Sequence, residues 1–287
     1  MENTNIFRMY PNEEQCKKIH FTFGAVRFVF NHYMNIQRER YLKAQPQITY
    51  FDMLKDLNNL KKSHPWLKSV DSRAFQNALK LLRDNGKKYY GTSMDVLVAH
   101  YKTKNSPVKR YMTTCNNNSI VILEDYIKLP KLKKVRINNT FSCIAGRILN
   151  AVITQKPDGN YYVYVCCTDV PEEPLDSLSN SITVSPEIIE KIPNLEILVK
   201  RYGRLKKALT RAETNSNGHG KLKLKLQALQ HRIYSIQQDY YQKLSTDIIR
   251  KYGEIRVVKD GRNHEWIRFC HMLYYKSQKY QRKYIIL

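Results

Sequence analysis

The chain has 287 residues, 42% of them hydrophobic, and carries 49 Lys and Arg against 25 Asp and Glu for a formal net charge of +24. That length and apolar content suffice for two or three modules with a sizeable core and exclude a disordered chain. The charge goes far beyond what solubility needs and points to a polyanionic partner, nucleic acid first. No apolar run approaches the ~20 residues of a membrane-spanning helix, and the amino terminus lacks a signal-peptide pattern. The expectation is a cytosolic protein with no membrane partner.

After a short opening strand, IFRMY, the pair Pro11-Asn12 begins a helix, and Gln15 three residues past Asn12 completes a capping-box pattern. Ile19, Phe23, Val26, Phe30 and Tyr33 repeat at spacings that place them on one helix face. Further helices are predicted around Tyr50 to Lys61 and Ser72 to Tyr89, separated by the Pro-containing break SHPWLKSVD, so residues 11–97 read as a helical module. From Pro107 the texture turns to short β-rich runs: NSIVILEDYIKLP, KLKKVRI, then GRILNAVITQ and YYVYVCCT joined by the turn KPDGN. These predict a small antiparallel barrel or sandwich, closed by the opening strand, with the helical module inserted into it.

Residues 169–196 carry four Pro and are acidic against a basic background, which reads as a linker or a degraded element. Beyond them Leu198, Tyr202, Leu205, Leu209 and Ala212 mark one helix. NSNGHG reads as a loop, and Leu222, Leu226, Leu229, Ile233, Ile236, Tyr240 and Leu244 mark a second, longer helix. Both seams keep the three-and-four spacing of packed helices, so an antiparallel hairpin is predicted. The run KLKLKL alternates like a strand, but its downstream continuation decides for helix. Next comes YGEIRVVKDG, with a buried strand expected from Ile255 to Val258.

From Ile197 onward Lys and Arg number 21 against 6 Asp and Glu, an excess that asks for a counter-charge such as phosphate. The 21 Tyr interleave with these cations along the chain, a combination suited to stacked or splayed bases, although any single Tyr is more simply a boundary residue. The six Cys form no C-x-x-C pair and no Cys/His set with zinc spacing, so structural zinc is not expected. Cys166 and Cys167, adjacent on a predicted strand, should face opposite ways as reduced thiols.

The segments FRMYPNEEQ, FGAVRFVFNHYM, ITYFDMLKDLNNLKKSHPWLKSVDSRAFQNALKLL, NNNSIVILEDYIKLPKLKKVRI, YYQKLSTDIIRKYGEI and EWIRFCHMLYYKSQKY resemble, in order, the TnpB family of transposon-encoded RNA-guided nucleases, relatives of the type V CRISPR effectors. The resemblance spans nearly the whole chain. It implies an α+β multidomain protein: a wedge β-barrel (residues 1–10 and 98–170), an inserted helical recognition domain (11–97), and a truncated RuvC-like α/β domain of ribonuclease H type with a long helical hairpin (171–287).

The family's nuclease site needs three carboxylates to hold metal ions. Its G-I-D-x-G strand has no counterpart here, the segment that should supply it being the Pro-rich 169–196 stretch. Its second carboxylate ends the strand after the hairpin, where this sequence places Lys259, or Val258 if Gly253 is not an insertion. The chain ends at Leu287, before the third and before the zinc-binding pair of C-x-x-C motifs. A cation at the metal position repels Mg²⁺, so no catalytic residue and no metal cofactor is expected; Asp260 lies next door, and Asp169 or Asp176 could in principle substitute.

The family's readers of the short target-adjacent motif fall on Tyr50, Leu54, Ser72, Arg73, Gln76, Cys115 and Asn116. Gln and Asn can engage adenine bidentately and Arg can engage guanine. The cationic hairpin residues Lys206, Lys207, Arg211, Lys221, Lys223 and Lys225 are candidates for guide RNA or heteroduplex phosphates, contacts that position without reading sequence. The resemblance extends to nuclease-dead TnpB-like repressors. These hold a guide RNA, bind double-stranded target DNA and block RNA polymerase without cutting. The rival expectations are a guide-free DNA-binding protein, a weakly active nuclease with displaced acids, and a decayed transposon fragment.

Overall fold

The computed structural model describes residues 2–90, 101–138, 146–171, 175–189, 192, 195–214 and 216–287, with side chains described outside 85–90. The expected boundary between residues 97 and 98, Cys143 and parts of the Pro-rich stretch lie outside the described residues. The chain divides into two compact units, Glu2–Val170 and Pro171–Leu287.

In the first unit the chain opens with β1 (Asn3–Tyr10) and passes into α1 (Glu13–Leu42). The helix starts where the capping box places it. Asn12 Oδ1 accepts from the Gln15 backbone N–H at 2.8 Å, and Gln15 Oε1 accepts from the Asn12 N–H at 3.0 Å, satisfying two donors that a helix start leaves orphaned. Ile19, Phe23, Val26, Phe30 and Tyr33 are all buried, as their spacing requires. Next come α2 (Tyr50–Ser63), a 3₁₀ turn at Pro65–Ser69, and α3 (Ser72–Tyr90).

The strands are β2 (Lys109–Thr114), β3 (Val121–Ile122), β4 (Tyr126–Leu129), β5 (Lys133–Asn138), β6 (Arg147–Gln155) and β7 (Tyr161–Thr168). With β1 they form a seven-stranded sheet in the order β2-β6-β7-β1-β5-β4-β3, antiparallel throughout. The opening strand therefore sits inside the sheet. It pairs with β7 on one side (Phe7 opposite Val163) and β5 on the other (Met9 opposite Ile137), and α1 to α3 lie in sequence between it and β2.

Alternation along the strands sends Phe7, Met9, Val135, Ile137, Val163 and Val165 into the core. By the same alternation Cys167 is buried while Cys166 on the other face is half-exposed. The KPDGN turn closes with Lys156 N–H on the Asn160 carbonyl at 3.0 Å, and Gly159 takes φ +81°, which suits a residue without Cβ. Strand β2 has no clear signal in the sequence. It is a terminal strand with only Tyr111 and Thr113 buried, too short an alternation to stand out beside its charged start.

The second unit is built on a three-stranded parallel sheet, β10-β9-β8, of β8 (Ser181–Val184), β9 (Glu254–Val257) and β10 (Lys283–Ile286). The expected strand at Ile255 to Val258 is β9, starting one residue earlier and ending one earlier. Residues 169–196 are more than a linker, because β8 and a 3₁₀ turn at Pro186–Ile189 lie within them. Four residues between Asn180 and Ser185 carry no period of their own; pairing with β9 makes them a strand.

Helices α4 (Leu195–Arg211) and α5 (Asn217–Lys251) form the hairpin, and α6 (His264–Lys279) follows β9. The loop is shorter than expected. Ser216 caps α5 by accepting from the His219 N–H at 3.0 Å, so Asn217 to Gly220 are already helical. Val184, Ile255 and Val257 of the sheet, Tyr241, Ile248 and Ile249 of α5, and Trp266, Phe269 and Leu273 of α6 make the core. In α4, by contrast, no residue is fully buried: Leu198, Tyr202, Leu205 and Leu209 are half-exposed, as expected for two helices packed only on each other.

Candidate nucleic-acid interface

Three of the expected motif readers come together at the start of α3. Asp71, just before the helix, accepts from the Arg73 N–H at 3.1 Å through Oδ1, and its other oxygen accepts from the Thr113 hydroxyl of β2. Helix start and strand are thereby locked to each other. Arg73 Nη1 donates to Gln76 Oε1 at 2.8 Å, one helical turn along. Asn116, on the turn after β2, lies between Arg73 and the Cys115 carbonyl; its amide is assigned on hydrogen-bonding grounds, the orientation in which both ends find a partner having Oδ1 accept from Arg73 Nη2 and Nδ2 donate to the Cys115 carbonyl at 3.0 Å. The Asn116 N–H in turn donates to Ser119 Oγ at 3.1 Å. Arg73 and Asn116 are exposed and Gln76 half-exposed, so the fork sits at the surface.

The other expected readers divide. Ser72 is exposed and accepts from Lys61 Nζ at 3.0 Å. Lys61, absent from the sequence-based set, lies with its ammonium 5.5 Å from the centre of the Phe75 ring, and burial holds its pKa below the usual lysine value despite Asp71 nearby. Its only sequence signal is a basic residue in the last turn of a helix. Tyr50 is half-buried against the core with the Arg83 guanidinium 5.2 Å over its ring, an amphipathic platform with one face committed. Leu54 and Cys115 pack against the core and present no polar group for a base edge; the Cys115 thiol donates to the Ile120 carbonyl at 3.7 Å.

In the second unit the hairpin cations Lys206, Lys207, Arg211, Lys221, Lys223 and Lys225 are all exposed. Among the described residues none has a carboxylate within ion-pair distance. They stand on helices already folded, so their charge is presented without an ordering cost for the backbone.

At the end of β9, Lys259 is exposed and its N–H donates to the Leu287 carbonyl at 3.3 Å, continuing the ladder to β10. On the other side Val258 N–H donates to the Val184 carbonyl of β8 at 3.1 Å, and β8, Ser-Ile-Thr-Val, contains no acid. The Val258 carbonyl accepts from Trp266 Nε1 at 2.9 Å, which fixes α6 against the strand end. Asp260 spends Oδ1 on the Arg262 N–H at 2.9 Å in a local turn. Asp169 belongs to the other unit and pairs with Arg147 at 3.6 Å, and the Asp176 carbonyl accepts from buried Arg282 at 2.6 Å. Among the described residues no three His, Cys, Asp or Glu side chains are grouped so as to hold a metal ion.

Residues 1–45 match the family model of the IS605 OrfB type described as a helix-turn-helix domain. Here that segment holds β1 and one uninterrupted helix, α1, rather than two helices and a turn. Over 276 residues the chain is 25% identical to an Escherichia coli K12 protein named "Putative RNA-guided DNA endonuclease InsQ", covering 88% of this chain and 65% of that one. Over 314 residues it is 21% identical to a Streptomyces pristinaespiralis protein named "Putative RNA-guided DNA endonuclease", covering 98% and 76%. The chain is thus similar in sequence, over most of its length, to two proteins that carry the name "Putative RNA-guided DNA endonuclease". It spans 65% of the length of the E. coli endonuclease relative. Among solved structures, a Cas12f1 complex with single-guide RNA and target DNA aligns over 99% of this chain and 88% of its own, at 10% identity and a TM-score of 0.47.

Proposed function

We propose that this chain is an RNA-guided DNA-binding protein that does not cut. It holds a guide RNA, engages duplex DNA beside a short adjacent motif, opens it by guide pairing, and represses transcription by occluding RNA polymerase. Guide pairing supplies sequence recognition while the protein reads the motif and backbone shape, so loss of cleavage leaves recognition intact. In this reading residues 1–10 and 98–170 form the wedge, residues 11–97 the recognition domain, and residues 171–287 a degenerate RuvC-like domain.

The observation that carries the reading is Lys259. By the resemblance, the position of a metal-binding carboxylate in the nucleases falls on Lys259, two residues past the end of β9 at Val257, and the neighbouring β8 has no acid to offer. A two-metal mechanism needs several anionic oxygens converging on the cations. The residues present do not fit that set, since Asp260 is turned into a local Asx contact and Lys259 adds a repulsive charge. The basic hairpin supports the binding half of the reading, with exposed cations suited to phosphate.

The test is purification of the chain from cells followed by sequencing of co-purifying RNA. The complex is then incubated with a duplex matched to the recovered guide, in Mg²⁺ and in Mn²⁺. Enriched RNA of discrete sequence and guide-dependent binding without cleavage are expected. No enriched RNA, or scission of the matched duplex, overturns the proposal. Lys259→Glu should also fail to cut, because one carboxylate does not complete the set.

A further inference from the structure

We infer that Arg73 is the residue that reads the adjacent motif, that it selects guanine, and that Gln76 and Asn116 hold it in place and do not themselves read bases. The inference rests on the proposed guided binding and goes beyond it by assigning the atoms.

An adenine-reading Gln or Asn must offer both ends of its amide, the oxygen to N6 and the nitrogen to N7. Each amide keeps a second lone pair and free N–H capacity, but its orientation is set by the Arg73 cation its oxygen accepts from, so neither is free to turn both ends toward a base. Gln76 Oε1 is committed to the Arg73 cation at 2.8 Å. Asn116, in the amide orientation assigned from its neighbours, turns its oxygen to Arg73 and its nitrogen to the Cys115 carbonyl at 3.0 Å. Turning either amide toward a base would give up a charge-assisted hydrogen bond, of the stronger kind.

Arg73 is in the opposite position. A guanidinium carries five N–H donors, and the two protein bonds use one from each Nη. One N–H on each Nη and the Nε–H remain, enough for a parallel pair of bonds to guanine O6 and N7. Two acceptors on separate elements, α3 and the turn after β2, fix the guanidinium plane, so little rotamer freedom is lost on binding. The backbone beneath is equally fixed, through Asp71 to the Arg73 N–H and to Thr113. Beside it, Lys61 on Ser72 adds a second positive charge suited to a neighbouring phosphate.

The experiment selects matched duplexes from a library randomised at the adjacent motif, using the purified protein–guide complex. The wild type should enrich guanine at one position. Arg73→Ala and Arg73→Lys should both lose that preference by about ten- to a hundredfold, the lysine variant because it keeps the charge without the planar fork. Guide RNA retained by each variant confirms that it is folded. Gln76→Leu and Asn116→Leu should weaken the same preference and leave its identity as guanine. A motif without guanine, or an adenine preference abolished by Gln76→Leu or Asn116→Leu, overturns the assignment and leaves guided binding standing. Absence of guide-dependent enrichment in the wild type overturns guided binding itself, and the assignment falls with it.

Discussion

Asn77, in the middle of α3, donates from Nδ2 to the Met112 carbonyl of β2 at 3.0 Å and to Thr114 Oγ1 at 3.1 Å. Because β2 pairs only with β6 among the described residues, its outer edge carries backbone groups outside the sheet ladder, and α3 covers it through this amide. Asn77 lies one residue past Gln76, so the covered edge and the Arg73 fork share a stretch of helix. Asn77→Leu should destabilise the first unit by about 1–3 kcal/mol, the cost of a part-buried carbonyl losing its donor. A denaturation midpoint unchanged from wild type would show that water replaces the amide at no cost.

Gly253 connects α5 to β9 and is held by Asn180, whose backbone carbonyl and Oδ1 accept from its N–H at 3.0 and 3.2 Å. A Cβ built there would collide with the Leu178 carbonyl, a backbone atom that cannot swing aside. Gly253→Ala should cost about 1–3 kcal/mol or more, as overpacking does. Thermal melting of the single variant measures it; a melting temperature within a degree of wild type would mean that the backbone on either side shifts freely.

Lys276 of α6 is pinned to α5, its Nζ donating to the Gln242 carbonyl at 2.7 Å, Ser245 Oγ at 2.8 Å and Thr246 Oγ1 at 2.7 Å. Burial, with Arg250 nearby, lowers its pKa to about 8, while Asp247 opposes the shift. A lysine whose folded pKa is depressed binds its proton more tightly in the unfolded chain, so its contribution to stability rises as pH climbs from about 8 toward the unfolded value. The difference in urea midpoint between wild type and Lys276→Met should therefore shift in favour of wild type between pH 8 and pH 10. A difference independent of pH over that window would contradict the assigned shift.

The hairpin cations should act through phosphate alone. Replacing Lys221, Lys223 and Lys225 by Ala together should weaken binding of guide RNA and flatten its salt dependence. The slope of log K against log salt should fall by about 0.7 for each phosphate that is no longer neutralised. Denaturation should be unmoved, since all three side chains are exposed. An unaltered slope would place the RNA elsewhere on the molecule.

The elements legible in the sequence are those whose information is local. The capping box at Asn12 and Gln15, the buried face from Ile19 to Tyr33, the turn at Gly159 and the two seams of the hairpin all follow from side chains within a few residues of one another. The strand β9 is legible for a similar reason, to within one residue at each end. The resemblance further points to Arg73, Gln76 and Asn116 as residue types suited to base edges.

What the tertiary structure decided is pairing. Four residues of β8 and four of β10 become strands only because β9 lies between them, and β1 takes the interior of its sheet only when β5 and β7 arrive from far along the chain. The placing of Asn116 belongs to the same class. Gln76 reaches Arg73 within α3, one helical turn along, whereas Asn116 comes within reach of the guanidinium only because α3 docks on β2. Hydrogen-bonding capacity is a property of each residue, but how it is spent depends on which partners the fold brings within about 3 Å.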